Sequence, residues 1–471
     1  MPKRLQRGFC EELLLILLFV LLFVLTSSYK FDFLIWFVNV PLLLLVYHKP
    51  IKRAILLLLA PSILAVAISF TWVAEYNWHA YVLSSAIFSS FLFLFAVIFN
   101  VASKKVKGCL RIFIAPFAYS LLIVIYSFSP INSYWADWSM FQNMMAPLIW
   151  LVGSNGITFL IILIHSVIAF YIMEKDKKML ITGCMVVLFL LGSYVYSFNA
   201  DPEGQRIKVA LLQGNFNQDW GWRHANSRGI IFDTYENMSV EASKSKPGLI
   251  VWPEYAIADE ILNNTDLMKR LSNLARKTNA HLVIGTVRFY DGFYGYERLR
   301  NDVSLVFASD GKFIGEYSSV KPIPFEKWVL PGNNTNIFYT DIGNFGVSLC
   351  YEETQKSVSK SFSSKKAQFL VSLANNQVLD ETAGMYLTNL YTNLRAAENG
   401  KYLIRATNTG ITKIVNPYGK VEAQLPPYAR GILIRDIYLN NRITFYAKYG
   451  DIILNIFLFI LGVLFLKKLL H

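Results

Sequence analysis

Seven long apolar stretches crowd the first 200 residues, near 11–28, 31–47, 54–73, 80–101, 109–127, 145–172 and 179–197, and an eighth lies near 447–466. Each is about long enough to cross the ~30 Å of hydrocarbon in a bilayer. Backbone in lipid must satisfy its own hydrogen bonds, so these stretches predict a membrane α-helical bundle of about eight spans. A hydrophobic content of 54% and a mean hydropathy of +0.38 agree, being too high for a water-soluble globule. The first stretch carries the basic flank of a signal peptide (Lys3, Arg4, Arg7), but no small-residue cleavage site follows it. With six more spans behind it, it reads as a retained helix.

The connections between spans alternate in charge. Lys3/Arg4/Arg7, Lys49/Lys52/Arg53, Lys104/Lys105/Lys107/Arg111 and Lys175/Lys177/Lys178 fall on one side, while the segments around Ser27–Asp32, Ala74–His79 and Ser127–Gln142 are nearly free of Lys and Arg. By the positive-inside rule the first group is cytoplasmic. Both termini are then expected in the cytoplasm, with Lys467 and Lys468 after the last span. Three units result: a seven-helix region over 1–199, an extracytoplasmic domain over 200–440, and a C-terminal helix and tail over 441–471. The net charge of +13 is spent at the ends of the spans, so it argues for topology and against a nucleic-acid partner.

Within 128–150 stand Trp135, Trp138, Met144, Met145, Pro147 and Trp150. They fit either an interfacial aromatic belt or a lipid-facing arm that guides acyl chains toward the polar domain.

That domain alternates strand and helix patterns. Strands are expected at Ile207–Leu212, Leu249–Trp252, His281–Thr286, Phe345–Leu349, Phe369–Leu373, Tyr402–Ala406, Ile411–Val415 and Ile432–Ile437. Val303–Ala308 and Phe313–Tyr317 form a hairpin around Ser309-Asp310-Gly311-Lys312. Helices are expected at Ile230–Ser243, Asp266–Thr278, after Cys350, and at about Ala383–Glu398. This alternation predicts an α/β layered fold, whose ligands sit beyond the carboxyl ends of strands. Glu254 and Cys350 both fall at such ends.

Of four cysteines, Cys10, Cys109 and Cys184 lie in or beside apolar stretches, which leaves Cys350 alone in the polar domain. A free cysteine is ordinarily an inert buried thiol. At a strand-to-helix turn, however, the helix N-terminus would favour the thiolate. A cysteine nucleophile also needs a base and a cation or dipoles for the oxyanion. Glu254, beside Trp252 and Pro253, is a candidate base whose pKa partial desolvation would raise; as a plain loop glutamate it would face water. Lys321, in Val320-Lys321-Pro322-Ile323-Pro324-Phe325-Glu326, is a candidate cation, and Glu326 and Glu352 either position it or face solvent. No His/Cys cluster suggests a metal, and no cofactor is expected.

The order Trp252-Pro253-Glu254, Lys321…Pro324-Phe325, Cys350-Tyr351-Glu352, with Arg395–Gly410 and Asn416-Pro417-Tyr418-Gly419-Lys420-Val421 downstream, resembles the nitrilase (carbon-nitrogen hydrolase) superfamily and its Glu–Lys–Cys triad. With seven helices before the domain and one after it, the whole chain resembles the apolipoprotein N-acyltransferase family. The resemblance implies an αββα sandwich and a bacterial inner-membrane acyltransferase, expected as a monomer with its catalytic domain on the periplasmic side. Cys350 would take an acyl chain from a phospholipid as a thioester and pass it to the N-terminal amine of a diacylglyceryl-cysteine lipoprotein. Glu254 would be the base and Lys321 the oxyanion cation, with Glu326, Tyr351 and Glu352 in support. Two segments differ from the family pattern. Aligning Tyr317 and Pro324-Phe325 puts Ser319 at the lysine position, with Lys321 two residues and about 6.6 Å further along an extended strand. After the cysteine, Asn375-Asn376-Gln377-Val378-Leu379-Asp380 replaces Asn-Asp-Ala-Trp-Phe-Gly. A sibling acyltransferase or amidase with another acceptor, and a non-catalytic lipid- or lipoprotein-binding protein, are the alternatives these differences leave open.

Overall fold

The computed structural model describes residues 8–28, 30–129, 134–142, 144–217, 225–379 and 381–470. Lys3, Arg4, Arg7 and Asp380, which entered the reading of the sequence, lie outside them.

The N-terminal region consists of α1 (Phe9–Ser27), α2 (Val40–Val46), α3 (Ile51–Ser69), α4 (Thr71–Tyr76), α5 (Trp78–Lys105), α6 (Ile114–Tyr126), α7 (Leu148–Glu174) and α8 (Lys177–Asn199). Among the described residues six helices are long and apolar enough to cross a membrane: α1, α3, α5, α7, α8 and the stretch Gly108–Tyr126 that includes α6. The stretch expected as one span near 31–47 is instead a 3-10 turn, Asp32–Trp36, followed by the seven-residue α2, every residue of which is buried. Pro41, in the first turn of α2, has no N–H with which to continue a helix from upstream. The broken segment still returns the chain to its starting level, because Glu12 near the start of α1 pairs with Lys49 at 2.5 Å and Arg53 at 2.8 Å. Arg111 pairs with Glu174 and, at 3.2 Å, with Asp176, and Tyr47 donates to Glu174 at 2.5 Å. The basic connections thus gather at one end of the bundle. A last apolar helix, Ile452–Leu470, packs Phe465 on Phe117 and Phe457 on Phe159, with ring centroids 5.1 and 5.5 Å apart.

At the other end sits a sandwich of two six-stranded sheets. The strands are β1 (Arg206–Gln213), β2 (Leu249–Val251), β3 (His281–Tyr294), β4 (Glu297–Phe307), β5 (Phe313–Ser318), β6 (Ile337–Phe338), β7 (Phe345–Leu349), β8 (Phe369–Ala374), β9 (Tyr402–Thr407), β10 (Lys413–Val415), β11 (Val421–Gln424) and β12 (Gly431–Tyr438). Their order is β12-β1-β2-β3-β4-β5 in one sheet and β11-β10-β9-β8-β7-β6 in the other. Strand alternation assigns the layers. Val209 and Leu211 point between the sheets, where they meet Val347, Leu349, Val371 and Ile404. Ala210 and Leu212 point outward, under the helices Ala225–Ser243 and Thr265–Thr278. The outer face of the second sheet carries the helices Lys356–Ser364 and Ala383–Asn399, which completes the αββα order.

The helix Ala383–Asn399 belongs to both halves of the molecule. Leu387, Tyr391, Leu394 and Ala397 recur at helical spacing and join the core of the membrane bundle, while Ala396 packs into the apolar core of the sandwich domain. Polar contacts reinforce the junction: Ser154 N–H donates to Glu398 at 3.0 Å, Lys356 pairs with Asp137 at 2.9 Å, and Tyr76 donates to Glu326 at 2.9 Å.

Three features exceed the sequence expectation. The β3–β4 hairpin runs out to Tyr294 and Glu297 instead of stopping near 286 and 303; its exposed tip mixes Tyr290, Phe293, Tyr294 and Tyr296 with charged residues and glycines, so no apolar/polar alternation marks it. Strands β6 and β11, of two and four residues, are too short to carry a period-two signal. Of the side chains singled out in 128–150, Trp138, Met145 and Trp150 are buried in the core of the bundle, and Trp135 lines a cavity at the junction.

Candidate active site

Cys350 directly follows β7 in the left-handed region, at φ 47°, and opens a 3-10 turn, Cys350–Thr354. The following α-helix starts only at Lys356, so the expected helix N-terminus is not at the thiol. The electrostatics reverse the expectation as well. Burial, then the charge and hydrogen bond of Glu254, push the Cys350 thiol well above its ordinary range.

Glu254 follows β2 and is 2% exposed. Its segment lies against the sheet because residue 285 is glycine: a Cβ there would stand 2.3 Å from the Pro253 carbonyl oxygen and 2.6 Å from the Glu254 Cα. Burial first, then the charge of Asp302, hold the Glu254 carboxyl well above the usual carboxylate range, and the hydrogen bond with Cys350 acts in the opposite sense. The backbone N–H of Asn375, at the end of β8, faces both the thiol and the carboxyl. The candidate base, the candidate nucleophile and a backbone N–H donor therefore converge, an arrangement that could serve acyl transfer through a thiol.

Glu352 lies deeper. It accepts from the Tyr317 hydroxyl, from the Val320 and Lys321 N–H groups at 2.7 and 3.1 Å, and from Leu349 N–H at 2.9 Å. Its role is to tie the end of β5 to the cysteine turn, and burial pushes its pKa up to about 7. Glu326 accepts from Tyr76, and burial with the charge of Asp302 raises its pKa. Tyr351 is half-buried and lines both cavities described below. Lys321 donates its backbone N–H to Glu352, but its side chain is exposed and lines neither cavity. Ser319 is 2% exposed and lines the polar cleft.

Cys350 stands where two cavities meet. One is a polar cleft of about 460 Å³ that also holds Glu254, Arg300, Asp302, Ser319 and Glu326. The other is apolar and runs between α4, α5 and the sandwich past Phe70, Trp72, Ala80, Trp135 and Phe325. Behind the cysteine, Glu353 accepts from Arg405 Nε at 2.7 Å and from Ser372, and Arg405 donates to Asn376 at 2.8 Å.

Sequence reasoning missed Arg300, Asp302, Arg405 and the donor role of Asn375. Arg300 and Asp302 left a trace: charges at i and i+2 continue one face of the strand that carries the apolar run Val303–Phe307.

Comparison with known proteins adds sequence kinship to this geometry. The carbon-nitrogen hydrolase family profile matches residues 208–445, just over half of the chain. An apolipoprotein N-acyltransferase of Geobacter metallireducens is 27% identical over 461 residues, covering 89% of this chain and 88% of its own. One of Haemophilus ducreyi is 26% identical over 342 residues, 66% of each chain. Among solved structures, an amidase from Nesterenkonia sp. aligns with 54% of this chain and 97% of its own at 18% identity and a TM-score of 0.40.

Proposed function

The chain belongs to the carbon-nitrogen hydrolase family, and from that premise we propose that it moves a fatty acyl chain from a phospholipid, through a thioester on Cys350, to the amino terminus of a diacylglyceryl-cysteine lipoprotein. The observation that carries this reading is the position of Cys350 at the meeting of a polar cleft and an apolar cavity built partly from the membrane helices. An amidase acting on small soluble amides has no use for such a cavity, whereas an acyl chain drawn from a bilayer needs apolar surface up to the reacting carbonyl. The names of the relatives support the same acceptor class.

In the first half-reaction Glu254 takes the thiol proton as Sγ attacks the ester carbonyl carbon. The Asn375 N–H and a cation in the cleft meet the oxyanion. Collapse breaks the ester C–O bond, and Glu254 returns the proton to the departing lysophospholipid oxygen. In the second, the lipoprotein amine attacks the thioester carbonyl and Glu254 accepts its proton. The C–S bond breaks, leaving an amide and a restored thiol. Basic connections at the far end of the bundle support placing the sandwich on the extracytoplasmic face of the inner membrane, with both termini cytoplasmic.

The test is to supply detergent-solubilised protein with phospholipid carrying a labelled acyl chain, plus a diacylglyceryl-cysteine peptide. Labelled N-acyl peptide is expected, and it should be absent when the peptide amine is acetylated. Release of free fatty acid alone would assign the acceptor to water. The buried Ser319 at the lysine register favours a second reading, a binding protein without turnover, for which neither product would form.

A further inference from the structure

Neither position that the sequence offers for a triad lysine puts a charge in the cleft. Where the resemblance leads one to expect a lysine stands Ser319, an uncharged side chain 2% exposed. The side chain of Lys321 is exposed and lies outside the cleft. Yet the cleft holds three carboxyls, those of Glu254, Asp302 and Glu326, around Cys350. An oxyanion forming at the thiol would be repelled from such a site unless a positive charge faced it.

Among the described residues one Lys or Arg lines this cleft, Arg300. It lies on β4, the strand paired with β5, where Val303 opposes Ser318 and the Ser319 N–H donates to the Asp302 carbonyl oxygen at 3.0 Å. Residues 300 and 302 share one strand face, so Arg300 is directed to the side on which Asp302 and Ser319 enter the cleft. Its guanidinium lies 3.4 Å from Asp302 and 3.4 Å from the Tyr255 hydroxyl, and its side chain is 12% exposed. The Arg300 backbone is pinned too, accepting from Leu330 N–H at 2.7 Å and donating to the Trp328 carbonyl oxygen at 3.0 Å. A guanidinium so held keeps its charge at any working pH.

We propose that Arg300, the one Lys or Arg that lines the cleft among the described residues, supplies the positive charge that faces the oxyanion formed at Cys350. This inference rests on the acyl-transfer reading and assigns the residue that reading leaves open.

The test uses the full chain in detergent with phosphatidylethanolamine, following acyl mass on Cys350 in a single turnover. Arg300→Ala is expected to lower the maximal rate by about 10²–10³-fold, the usual cost of removing an oxyanion donor. Donor half-saturation should stay within about threefold, while Lys321→Ala stays near the wild type. Arg300→Lys, which keeps the charge, should fall between wild type and Arg300→Ala and guards against misfolding. The double variant Ser319→Lys/Arg300→Ala returns an ammonium to the register of the family lysine and should recover at least about tenfold. A loss below about tenfold, a loss confined to half-saturation, or failure of Ser319→Lys to restore the rate would each overturn the assignment. If the wild-type chain takes up no acyl group, the acyl-transfer reading itself fails before any variant is compared. Acylation of the wild type with an indifferent Arg300→Ala fails this inference alone.

Discussion

The Tyr317 hydroxyl donates to both carboxylate oxygens of Glu352, at 2.8 and 3.0 Å. This joins the end of β5, in the first sheet, to the second residue after the cysteine, in the 3-10 turn that follows β7 of the other sheet. With three backbone N–H groups on the same carboxylate, the contact fixes the cleft wall relative to the nucleophile. Glu352→Gln puts an amide N–H where donors converge, and it should slow Cys350 acylation by roughly 10–100-fold through misplacement of that wall. The stability effect has its own sign. The folded-state pKa, about 7, lies above the ordinary 4.5. The contribution of this carboxyl is therefore fully present below about pH 4.5 and is lost as pH rises through about 7. Melting temperatures of the wild type measured against Glu352→Gln between pH 4.5 and 8 should fall as pH rises; a difference independent of pH would contradict the assignment.

The pH dependence of acylation is expected to follow Glu254. It must be ionised to accept the thiol proton, and burial and the charge of Asp302 hold its pKa well above the carboxylate range. The acid limb of the single-turnover rate should therefore lie above pH 4.5, the ordinary value. Asp302→Asn removes a like charge and should move that limb to lower pH, provided Cys350 and Glu326, which also face Glu254, are unchanged. Movement to higher pH would mean that Asp302 acts chiefly by holding Arg300.

The apolar cavity makes a prediction about chain length. Ala80→Trp would fill it from α5, and each methylene excluded from burial costs about 0.8 kcal/mol, so losing two or three should slow long-chain donors roughly 15- to 60-fold. Acylation by a short-chain thioester should be unaffected. Gly384→Ala reaches the same wall differently, since its Cβ would stand 2.3 Å from the Trp72 ring, and it should show the same selectivity in a smaller degree. Equal slowing of short and long donors would remove the cavity from the account.

Arg405 and Glu353 form a buried pair, 1% and 3% exposed. Removing one partner strands the other's charge, so Arg405→Met should cost about 3–5 kcal/mol of stability, whereas changing both partners to apolar residues should cost less. Chemical denaturation of the three variants in one detergent checks this.

The sequence made some of this arrangement plain because the decisive signals were local. The apolar runs that end at Pro253-Glu254 and at Cys350 marked two strand ends, and strand ends are where an α/β fold places its chemistry. The polar run Tyr351-Glu352-Glu353-Thr354-Gln355 read as the start of a helix for the same local reason. In the fold, Glu352 is taken up by donors from β5 and Glu353 by Arg405, so those residues form a 3-10 turn instead. Pro41 interrupted an apolar stretch whose hydropathy alone predicts an unbroken span. Arg300 was hidden because its meaning depends on the β4–β5 pairing and on an exposed Lys321, neither of which periodicity encodes.

The central claim is that Cys350 carries the acyl chain, and the intact mass of the purified protein after incubation with phospholipid tests it most directly. The account predicts a mass increase of one fatty acyl group that hydroxylamine removes, that Cys350→Ala lacks, and that disappears when a diacylglyceryl-cysteine peptide is added. An unmodified mass in the wild type, or an equal increase in Cys350→Ala, would contradict it.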